Sequence, residues 1–518
     1  MNRWIASSIA GLGLLFALSA GAADGHVFTF RIPGEPETLD WNKAHTPIET
    51  YLLMNLMEGL IGVDADLKIT PALAKSWKLS PDGKTYTFNL RNDVKWSDGV
   101  PLKAADFLYS WKRLLSPMTA ASYAYFLFDI EGAEGFYKGT VKDFSGVGVK
   151  ALDDYTIQVK LVQPVAHWIY IPSFWVTFPM RQDVVEKGGS GWATPGRMVS
   201  VGPFQLESHD LDSRIVLKAN PNYYGVRGNL EKAVALIIRD DATALSLYES
   251  GKLDFLTDIA TLDLKRLAGR PDLKSYPYLK TGYLGFVVDK FPLSNVHFRR
   301  ALAMSIDRTK MGMILHGGQQ PANSFIPPRM LGHSPRMGLP FDPVKAKNEL
   351  RASGVDMAKP PLVEFVIANW DKSMVVAQFI QGEVKRNLGV DLSIQPFDNK
   401  TFRAQLDLHS YPLYLSSWSA DYPDPDNFMS VFLSSSGNNR LGWKNEAYDR
   451  LVMSARRMQD LRGREKAYGD AQKILLEEDA VLAPLYYEPN MALVRPRVQG
   501  LELNPLNYLY LKKVNCGG

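Results

Sequence analysis

MVVAQFIQGEVKRNLGVDLSI, residues 374–394, is the stretch that decides the fold class. Residues 374–388 carry apolar side chains at helical spacing, and Gly389 ends that pattern because glycine adopts the left-handed conformation that many helix ends need. The apolar residues Val390, Leu392 and Ile394 then alternate with polar ones, which is the period of a strand. A helix followed directly by a strand is the rhythm of an α/β layer structure.

The same rhythm extends toward the N-terminus. Val27–Ile32 alternates as a half-buried strand, and the apolar residues after Glu49 predict a helix that stops before Gly62. A helix is expected at 103–115, and residues 145–180 alternate again in a small inserted subdomain of mostly β structure.

The second half of the chain repeats the alternation of strands and helices. Asn295 and Asp342-Pro343 are expected to begin helices, because asparagine and aspartate cap the first turn and proline suits its first position. Two more helices, at 445–460 and 465–478, precede a last apolar strand at 481–486. A second lobe is therefore expected to begin near residue 280.

The first 22 residues have the pattern of a secretory signal peptide. Arg3 precedes an apolar run from Ile9 to Leu18, and small residues end at Ala22, where we expect cleavage. The run is shorter than the roughly 20 residues needed to cross a bilayer. No cysteine lies near the cleavage point to carry a lipid anchor. The mature protein is thus expected to be free in the periplasm.

Charge, cysteine content and chain length further limit the class of protein to which this sequence can belong. The net charge of +4 is small and dispersed, which excludes a nucleic-acid-binding surface. Cys516 is the only cysteine, so disulfides and cysteine-based metal sites are excluded. A chain of 518 residues exceeds what one hydrophobic core usually supports, and two or more lobes are expected.

Catalytic motifs are missing from this long chain. It contains no nucleophile elbow, no zinc-binding helix motif and no phosphate-binding glycine loop. The nearest approach, Gly188-Gly-Ser-Gly-Trp192, has tryptophan where the elbow needs glycine and is interpreted as a surface loop. We therefore predict no enzymatic activity, no catalytic residue, no cofactor and no metal.

The segment Trp418-Ser-Ala-Asp421-Tyr-Pro-Asp-Pro follows the apolar run at 413–415 and stands at the end of a predicted strand. An aspartate there could form a charge-assisted hydrogen bond with an ammonium group in a cleft. The alternatives are a turn aspartate among prolines, or a calcium site built from Asp421, Asp424 and Asp426. Trp418 could equally line the cleft or belong to the core.

Seven segments together resemble the extracellular solute-binding proteins of the oligopeptide and dipeptide ABC importers, over nearly the whole mature chain. They are Glu35-Pro-Glu-Thr-Leu-Asp40, Pro71-Ala-Leu-Ala-Lys-Ser-Trp77, Leu90-Arg-Asn-Asp-Val-Lys-Trp-Ser-Asp-Gly99, Ala104-Ala-Asp-Phe-Leu-Tyr-Ser-Trp111, Val201-Gly-Pro-Phe204, Asn220-Pro-Asn-Tyr-Tyr224 and residues 296–308. Each is weak alone, and their order makes the resemblance specific.

The resemblance implies a type II periplasmic binding protein: two α/β lobes with an extra β-rich subdomain inserted in the first. Lobe I is expected to comprise residues 23–60, 184–280 and 490–518, the inserted subdomain residues 61–183, and lobe II residues 281–489. A short peptide would be enclosed between the lobes and passed to the permease subunits of an ABC importer. The resemblance also implies a monomer.

The resemblance carries site residues over by motif. Asp421 would bind the peptide's α-ammonium group, with Trp418, Ser419 and Ala420 beside it. Tyr123, Glu35 and Tyr486, the last next to Tyr487, fall where the family's cleft residues lie.

The chain departs from the family pattern at three positions. Leu406 and Leu415 stand where relatives place arginines for the ligand's carboxylate, and Gly285 replaces an acidic residue of the pocket. Arg403, Arg329 or Lys372 are the candidates to bind the carboxylate instead. The same fold could also carry a nickel chelate, an opine, a cello-oligosaccharide or glutathione. A secreted peptidase and a peptide sensor or chaperone without its own permease are the remaining alternatives.

Overall fold

The protein is described by a computed structural model that covers residues 26–517. The predicted signal peptide at residues 1–22 lies outside the described residues. None of the helices within 26–517 is both long enough and apolar enough to span a membrane.

The first large sheet has seven strands and is built around the N-terminal strand Val27–Ile32, which pairs in parallel with the strand Lys232–Ile237. In spatial order its strands are Leu273–Tyr276, Asn490–Val494, Phe255–Leu256, Val27–Ile32, Lys232–Ile237, Arg214–Ala219 and Phe204–Asp210. The N-terminal strand buries Phe28, Phe30 and Ile32 completely. Successive side chains of a strand point to opposite faces, so burial of this face produces the apolar alternation seen in the sequence.

The second large sheet has six strands, one of which follows the helix predicted at residues 374–388. Its order is Gln320–Pro321, Leu482–Tyr487, Lys280–Phe286, Leu413–Ser419, Leu362–Ala368 and Asp391–Phe397. The strands Leu362–Ala368 and Asp391–Phe397 run parallel, joined by the helix Asp371–Leu388, and Gly389 ends that helix with φ 75°. The helix–stop–strand prediction is confirmed.

The chain passes between the two large sheets at two places that are adjacent in space. The first crossing, residues 277–279, connects the strand Leu273–Tyr276 to the strand Lys280–Phe286. The second, residues 488–489, connects Leu482–Tyr487 to Asn490–Val494. Lys280 and Glu488 flank these crossings, and the backbone N–H of Glu488 donates to the carbonyl of Lys280 at 3.1 Å.

A separate four-stranded sheet lies in the first third of the chain, with the order Ala74–Leu79, Thr85–Leu90, Thr156–Lys160 and Val149–Asp153. Its strand Thr85–Leu90 buries Tyr86, Phe88 and Leu90 on one face. Three two-stranded ribbons complete the β structure: Ile61–Val63 with Ile69–Pro71, Val498–Gln499 with Asn515–Cys516, and Glu502–Leu503 with Leu509–Tyr510. The predicted lobe and subdomain boundaries stay predictions.

The α-helices pack on these sheets. They are Pro47–Leu56, Ala104–Leu115, Ala133–Tyr137, Gln182–Gly188, Asp241–Glu249, Thr261–Leu267, Val296–Met304, Met311–Leu315, Pro343–Ala352, Asp371–Leu388, Asn399–Asp407, Asp426–Met429, Glu446–Arg457 and Leu461–Lys473. The last continues into a π-helical turn at Ile474–Glu478. Short 3₁₀ turns occur at Pro117–Thr119, Ala124–Leu127, Phe144–Gly146, Trp168–Ser173, Trp175–Thr177, Gly189–Gly191, Arg308–Lys310 and Ser430–Phe432.

The predicted helix caps at Asn295 and Asp342 are confirmed, whereas the predicted end of the first helix is wrong. The side chains of Asn295 and Asp342 accept hydrogen bonds from the first turns of their helices. The first helix, however, ends at Leu56, and Gly62 lies inside the strand Ile61–Val63. The chain leaves the helix early because the carbonyls of Gly59 and Leu60 accept hydrogen bonds from the backbone of residues 73 and 74, a tertiary pairing that apolar spacing cannot show.

Candidate functional site

A cavity of about 440 Å³ lies between the six-stranded sheet and a segment that carries Tyr123 and Tyr125. Residues 415–419, the second half of the strand Leu413–Ser419, form one wall. A neighbouring cavity of about 360 Å³ continues it. The two cavities share Tyr125, Trp418, Asp421, Val431 and Asn438. Together they provide a volume typical of sites for small organic ligands.

Asp421 lies at the junction of the two cavities, two residues beyond the end of its strand. Asn427 donates from Nδ2 to Asp421 Oδ2 at 3.4 Å and accepts the backbone N–H of Asp421 at 3.2 Å. Within residues 26–517 no lysine, arginine or histidine nitrogen lies within 4.0 Å of this carboxylate. Burial outweighs the Asn427 hydrogen bond and raises the pKa of Asp421 to about 6. The site thus holds a desolvated carboxylate without a cationic partner.

The residues next to Asp421 divide between cavity and core. Trp418 and Ser419 line the larger cavity, and the indole N–H of Trp418 donates to Asn427 Oδ1 at 3.0 Å. Ala420 is buried, and its N–H donates to the carbonyl of Leu279 at 2.9 Å. Ala420 is absent from the residues that line the two cavities, so its predicted contact with a ligand stays a prediction.

Tyr123 enters the cavity from the opposite side and is held by an aromatic cluster. Its ring stacks on Phe126 at 5.3 Å between centroids and meets Phe174 and Trp175 edge-on at 5.2 and 5.7 Å. Burial raises the pKa of Tyr123, and the negative charge of Asp421 raises it further. The phenol is therefore a neutral hydrogen-bond donor in the same cavity as Asp421.

Tyr486 lines the cavity from the strand Leu482–Tyr487, and its position depends on a glycine. A Cβ atom at Gly282 would lie 2.6 Å from Tyr486 Cζ, closer than van der Waals contact allows. Gly285, the second glycine of that strand, makes the same kind of space for the ring of Tyr414, since a Cβ there would lie 2.2 Å from Tyr414 Cζ. The space beside Gly285 is thus filled by the buried ring of Tyr414, and neither residue lines the two cavities.

The other end of the larger cavity combines one free cation with apolar side chains. Arg403 lines it and has no carboxylate within salt-bridge distance in the described part of the chain. Leu406 and Leu415, where the family pattern has arginines, are both buried and also line it. Lys372 lines the cavity as well, whereas Arg329 lies elsewhere and pairs with Asp66 at 2.9 Å. Of the three candidate carboxylate binders, the structure brings Arg403 and Lys372 to the site.

The structure places Glu35 outside both cavities. Its Oε1 lies 2.5 Å from His209 Nε2, and its Oε2 accepts the backbone N–H of Asp212 at 2.9 Å. These contacts engage both carboxylate oxygens of Glu35. They tie it to the strand Phe204–Asp210 of the first sheet and to the turn after that strand. Its sequence position among cleft motifs did not reveal this, since His209 is 174 residues away.

The calcium alternative is not supported by the positions of the three aspartates. Asp424 accepts two hydrogen bonds from Arg464, at 2.7 and 3.0 Å, and Asp426 accepts from the hydroxyl of Tyr422 at 3.0 Å. Within residues 26–517 no group of three or more metal-ligating side chains converges on one point. The aspartates after Asp421 stabilise the loop in which it lies.

Many residues that line the site were not predicted from the sequence, and four of them make notable polar contacts. Asn427 orients Asp421 and Trp418, Lys280 and Glu488 form an ion pair at 3.1 Å in the cavity wall, and Arg440 lines the cavity while pairing with Asp407 at 2.7 Å. The only sequence signal was a lone charged residue at one end of each of two strongly apolar strands: Lys280 begins Lys280–Phe286, and Glu488 follows Leu482–Tyr487. Such a charge is unusual beside a buried strand unless it has a partner.

Two large sheets with their own helices, together with a cavity lined by the second sheet and by the segment around Tyr123, define a two-lobed α/β protein of the type II periplasmic binding class. The family described as bacterial extracellular solute-binding proteins, family 5 Middle, matches residues 68–440. The chain belongs to this family of solute-binding proteins.

Individual relatives are similar to this chain over almost its full length and over almost the full length of their own chains. The chain is 31% identical over 532 residues to the probable deoxycholate-binding periplasmic protein YgiS of Escherichia coli, covering 99% of this chain and 98% of that protein. Among solved structures it is similar to the Escherichia coli murein tripeptide binding protein MppA, with TM-score 0.80, 28% identity and 96% and 99% of the two chains covered. Haemophilus influenzae OppA, in complex with RPPGFSPFR, matches with TM-score 0.78 and 29% identity, over 95% and 99% of the two chains. The predicted fold class and family are confirmed.

Proposed function

We propose that this protein captures short peptides in the periplasm and delivers them to the permease of an ABC importer. The observation that carries the proposal is Asp421, a half-buried carboxylate in the cavity wall that has no cation of its own within the described residues. Relatives named as oligopeptide-binding and murein peptide-binding proteins support it. A free peptide ammonium would supply the missing positive charge through a short, charge-assisted hydrogen bond.

The strand beside Asp421 offers a second feature suited to peptides. The strand Leu413–Ser419 pairs along its full length with Lys280–Phe286. On its other side it pairs with Leu362–Ala368 only at residues 413 and 414. The edge of residues 415–419 is therefore open and faces the cavity. An extended ligand backbone can pair with such an edge as an added strand, which supplies affinity without regard to side chains.

Delivery requires that the loaded protein differ from the empty one. A ligand that contacts Asp421 on one side and Tyr123 on the other interacts with both lobes only when these lie close together. The closed form therefore binds it better, and this difference in affinity shifts the population toward closure. We propose a monomer that acts without catalysis, cofactor or metal.

A second candidate ligand is an amphipathic carboxylate such as deoxycholate. Leu406, Leu415 and Phe402 form an apolar wall next to Arg403. Such a wall suits a steroid body with its acid group toward the arginine, and the similarity to YgiS adds to this candidate. Asp421 has no role in binding a ligand that lacks a cation. Binding of peptides therefore requires the Asp421 carboxylate, and binding of deoxycholate does not.

Calorimetry tests the proposal directly. Protein freed of co-purified ligand by unfolding and refolding is titrated with mixed di- to pentapeptides, and separately with deoxycholate. We expect heat from peptides, and loss of that heat in Asp421→Asn but not in Glu35→Gln, which also removes one carboxylate charge but lies outside the cavities. Flat peptide titrations at every length would refute the proposal. Mass spectrometry of ligand co-purified from the periplasm then separates peptides from nickel chelates, opines, oligosaccharides and glutathione.

A further inference from the structure

A group of charged and aromatic side chains connects the four-stranded sheet to the body that carries the six-stranded sheet, and we refer to it as the bridge cluster. Its members are Asp129 and His167 on one side and Tyr422, Asp426 and Arg456 on the other. Arg456 Nη2 lies 3.0 Å from Asp129 Oδ2, and the backbone N–H of Ala166 donates to the carbonyl of Arg456 at 3.0 Å. All five members line the smaller cavity, which Asp421 shares with the larger one.

Asp129 and His167 are attached to the four-stranded sheet. The carbonyl of Asp129 accepts the backbone N–H of Val162 at 2.9 Å, just beyond one strand of that sheet. His167 precedes Trp168, whose ring lies 4.9 Å from the ring of Tyr86 in the same sheet. Both members of the bridge cluster therefore move together with this sheet.

The other three members belong to the body of the six-stranded sheet. Tyr422 and Asp426 lie in the segment after the strand Leu413–Ser419, and the Tyr422 hydroxyl donates to Asp426 Oδ2 at 3.0 Å. Arg456 lies near the end of the helix Glu446–Arg457. The bridge cluster therefore joins residues of two different sheets.

No chain segment connects the two sides at the bridge cluster. Residues 280–487 form one continuous stretch of chain, which the backbone enters through residues 277–279 and leaves through 488–489, both at the crossings to the first large sheet. A further contact of this stretch with the first third of the chain is the ion pair of Arg329 with Asp66 at 2.9 Å. Contacts of this kind form when the two bodies close on each other, and they are lost when the bodies separate.

The bridge cluster places opposite charges next to each other where water is largely excluded. The side chains of Asp129 and Arg456 are 21% and 23% exposed, and Asp426 is fully buried. Burial disfavours the Arg456 cation, but the charges of Asp426 and Asp129 outweigh it and raise the pKa of Arg456. Burial likewise disfavours ionised Asp426, and His167 and Arg456 outweigh it and lower the pKa of Asp426. The His167 ring also stacks on Tyr422 at 4.9 Å between centroids.

We propose that the bridge cluster is a latch that stabilises the closed form of this protein whatever ligand is enclosed. The inference rests on the proposed function, because it concerns closure around the ligand of that same site. A ligand that binds only the closed form has an apparent affinity proportional to the fraction of closed protein. The latch therefore changes the affinity for every ligand by the same factor, whereas Asp421 acts on cationic ligands alone.

The first experiment measures closure without any ligand. Small-angle X-ray scattering gives the radius of gyration of the refolded, ligand-free protein and of Arg456→Met, which removes the cation and keeps an apolar side chain. We expect a larger radius in Arg456→Met. High salt should enlarge the unmodified protein more than the variant, because salt screens partly exposed charge pairs. Equal radii of the two proteins would overturn the inference.

The second experiment measures affinity for ligands of different chemistry. Trialanine, N-acetyl-trialanine and deoxycholate are titrated into the unmodified protein, Asp129→Asn, Arg456→Met and the double variant. We expect each single substitution to weaken every ligand that binds by one common factor of about threefold to tenfold, as for a partly exposed charge pair. The double variant should lose little more than a single one, because the pair is already broken.

Arg450→Met is the matched control. Arg450 lies on the same helix and pairs within that helix with Glu446 at 3.3 Å, so its replacement should leave the radius and the affinities unchanged. Loss factors that differ between ligands would indicate direct ligand contact, and additive losses would indicate independent effects; either result overturns the latch. If neither peptides nor deoxycholate bind, the proposed function fails, and the scattering comparison still decides whether the latch exists.

Discussion

Asn427 holds Asp421 and Trp418 at the same time. Its Oδ1 accepts the Trp418 indole N–H at 3.0 Å and the Asp421 backbone N–H at 3.2 Å, and its Nδ2 donates to the Asp421 carboxylate at 3.4 Å. One amide side chain thus orients the charged and the aromatic part of the site.

Replacing Asp421 is expected to remove the anchor for cationic ligands. Asp421→Asn keeps the size of the side chain and removes its charge, so we expect peptides with a free ammonium to bind about 2–5 kcal/mol more weakly, the cost of removing one partner of a buried charge pair. Calorimetry measures the change. N-acetylated peptides, which lack the ammonium, should bind both proteins alike, and an equal loss for both peptide forms would contradict the role of Asp421.

The same substitution is expected to stabilise the empty protein near neutral pH. The pKa of Asp421 is raised from 3.8 to about 6, so ionisation in the folded state costs about 1–3 kcal/mol above pH 6. This cost is relieved as the pH falls from about 6 to 4, because the folded protein then binds the proton more readily than the unfolded chain. Thermal unfolding of Asp421→Asn should show a higher midpoint than the unmodified protein at pH 7.5, and a smaller difference at pH 4.5. A lower midpoint at pH 7.5 would contradict the burial argument.

Peptide affinity should depend on pH with the same pKa. An ammonium group needs the ionised form of Asp421, which predominates above about pH 6. Below that value, binding must first remove the proton, and we expect the affinity to fall by up to about tenfold per pH unit. Titrations at pH 7.5, 6 and 5 measure this slope. Asp421→Asn should lack it, and an identical slope in that variant would assign the dependence to another group.

Asn427 is expected to act by positioning. Asn427→Ala removes three hydrogen bonds and leaves the Trp418 indole N–H and the Asp421 backbone N–H without their acceptor. We expect peptide binding to weaken by about 1–3 kcal/mol, the cost of buried polar groups left unsatisfied. The ultraviolet circular dichroism and fluorescence of Trp418 should change as well. Loss of affinity with unchanged tryptophan signals would show that Asn427 does not orient Trp418.

Gly282 is expected to control the position of Tyr486. In Gly282→Ala the new Cβ would overlap the Tyr486 ring, so the ring must move out of the cavity wall. We expect a loss of about 1–3 kcal/mol in stability, as for overpacking of a tight core, together with weaker ligand binding. Gly382→Ala is the matched control: it lies within the helix Asp371–Leu388 with open space around it, and alanine there should stabilise by about 0.5–1 kcal/mol. Unchanged stability and binding in Gly282→Ala would contradict the predicted overlap.

Much of the site was predictable because its signals are local in sequence. The apolar run at 413–415 predicted a strand with a carboxylate, Asp421, at its end that could face a cleft, and the structure places Asp421 in the cavity wall. The leucines at 406 and 415 directed attention to Arg403 and Lys372, which both line the larger cavity, and their contact with a ligand stays a prediction. Glu35 belonged to an equally recognisable motif, yet its carboxylate contacts His209 and Asp212, outside the cavities.

The amino-acid sequence by itself determined the order of strands and helices, the α/β layers and the family, because side-chain periodicity and caps act over a few residues. Only the tertiary structure decided which charges are neighbours. Lys280 and Glu488 are more than two hundred residues apart and meet because adjacent strands cross between the lobes at one place. Electrostatic attraction depends on distance in space and on exclusion of water, and both are set by the folded chain as a whole.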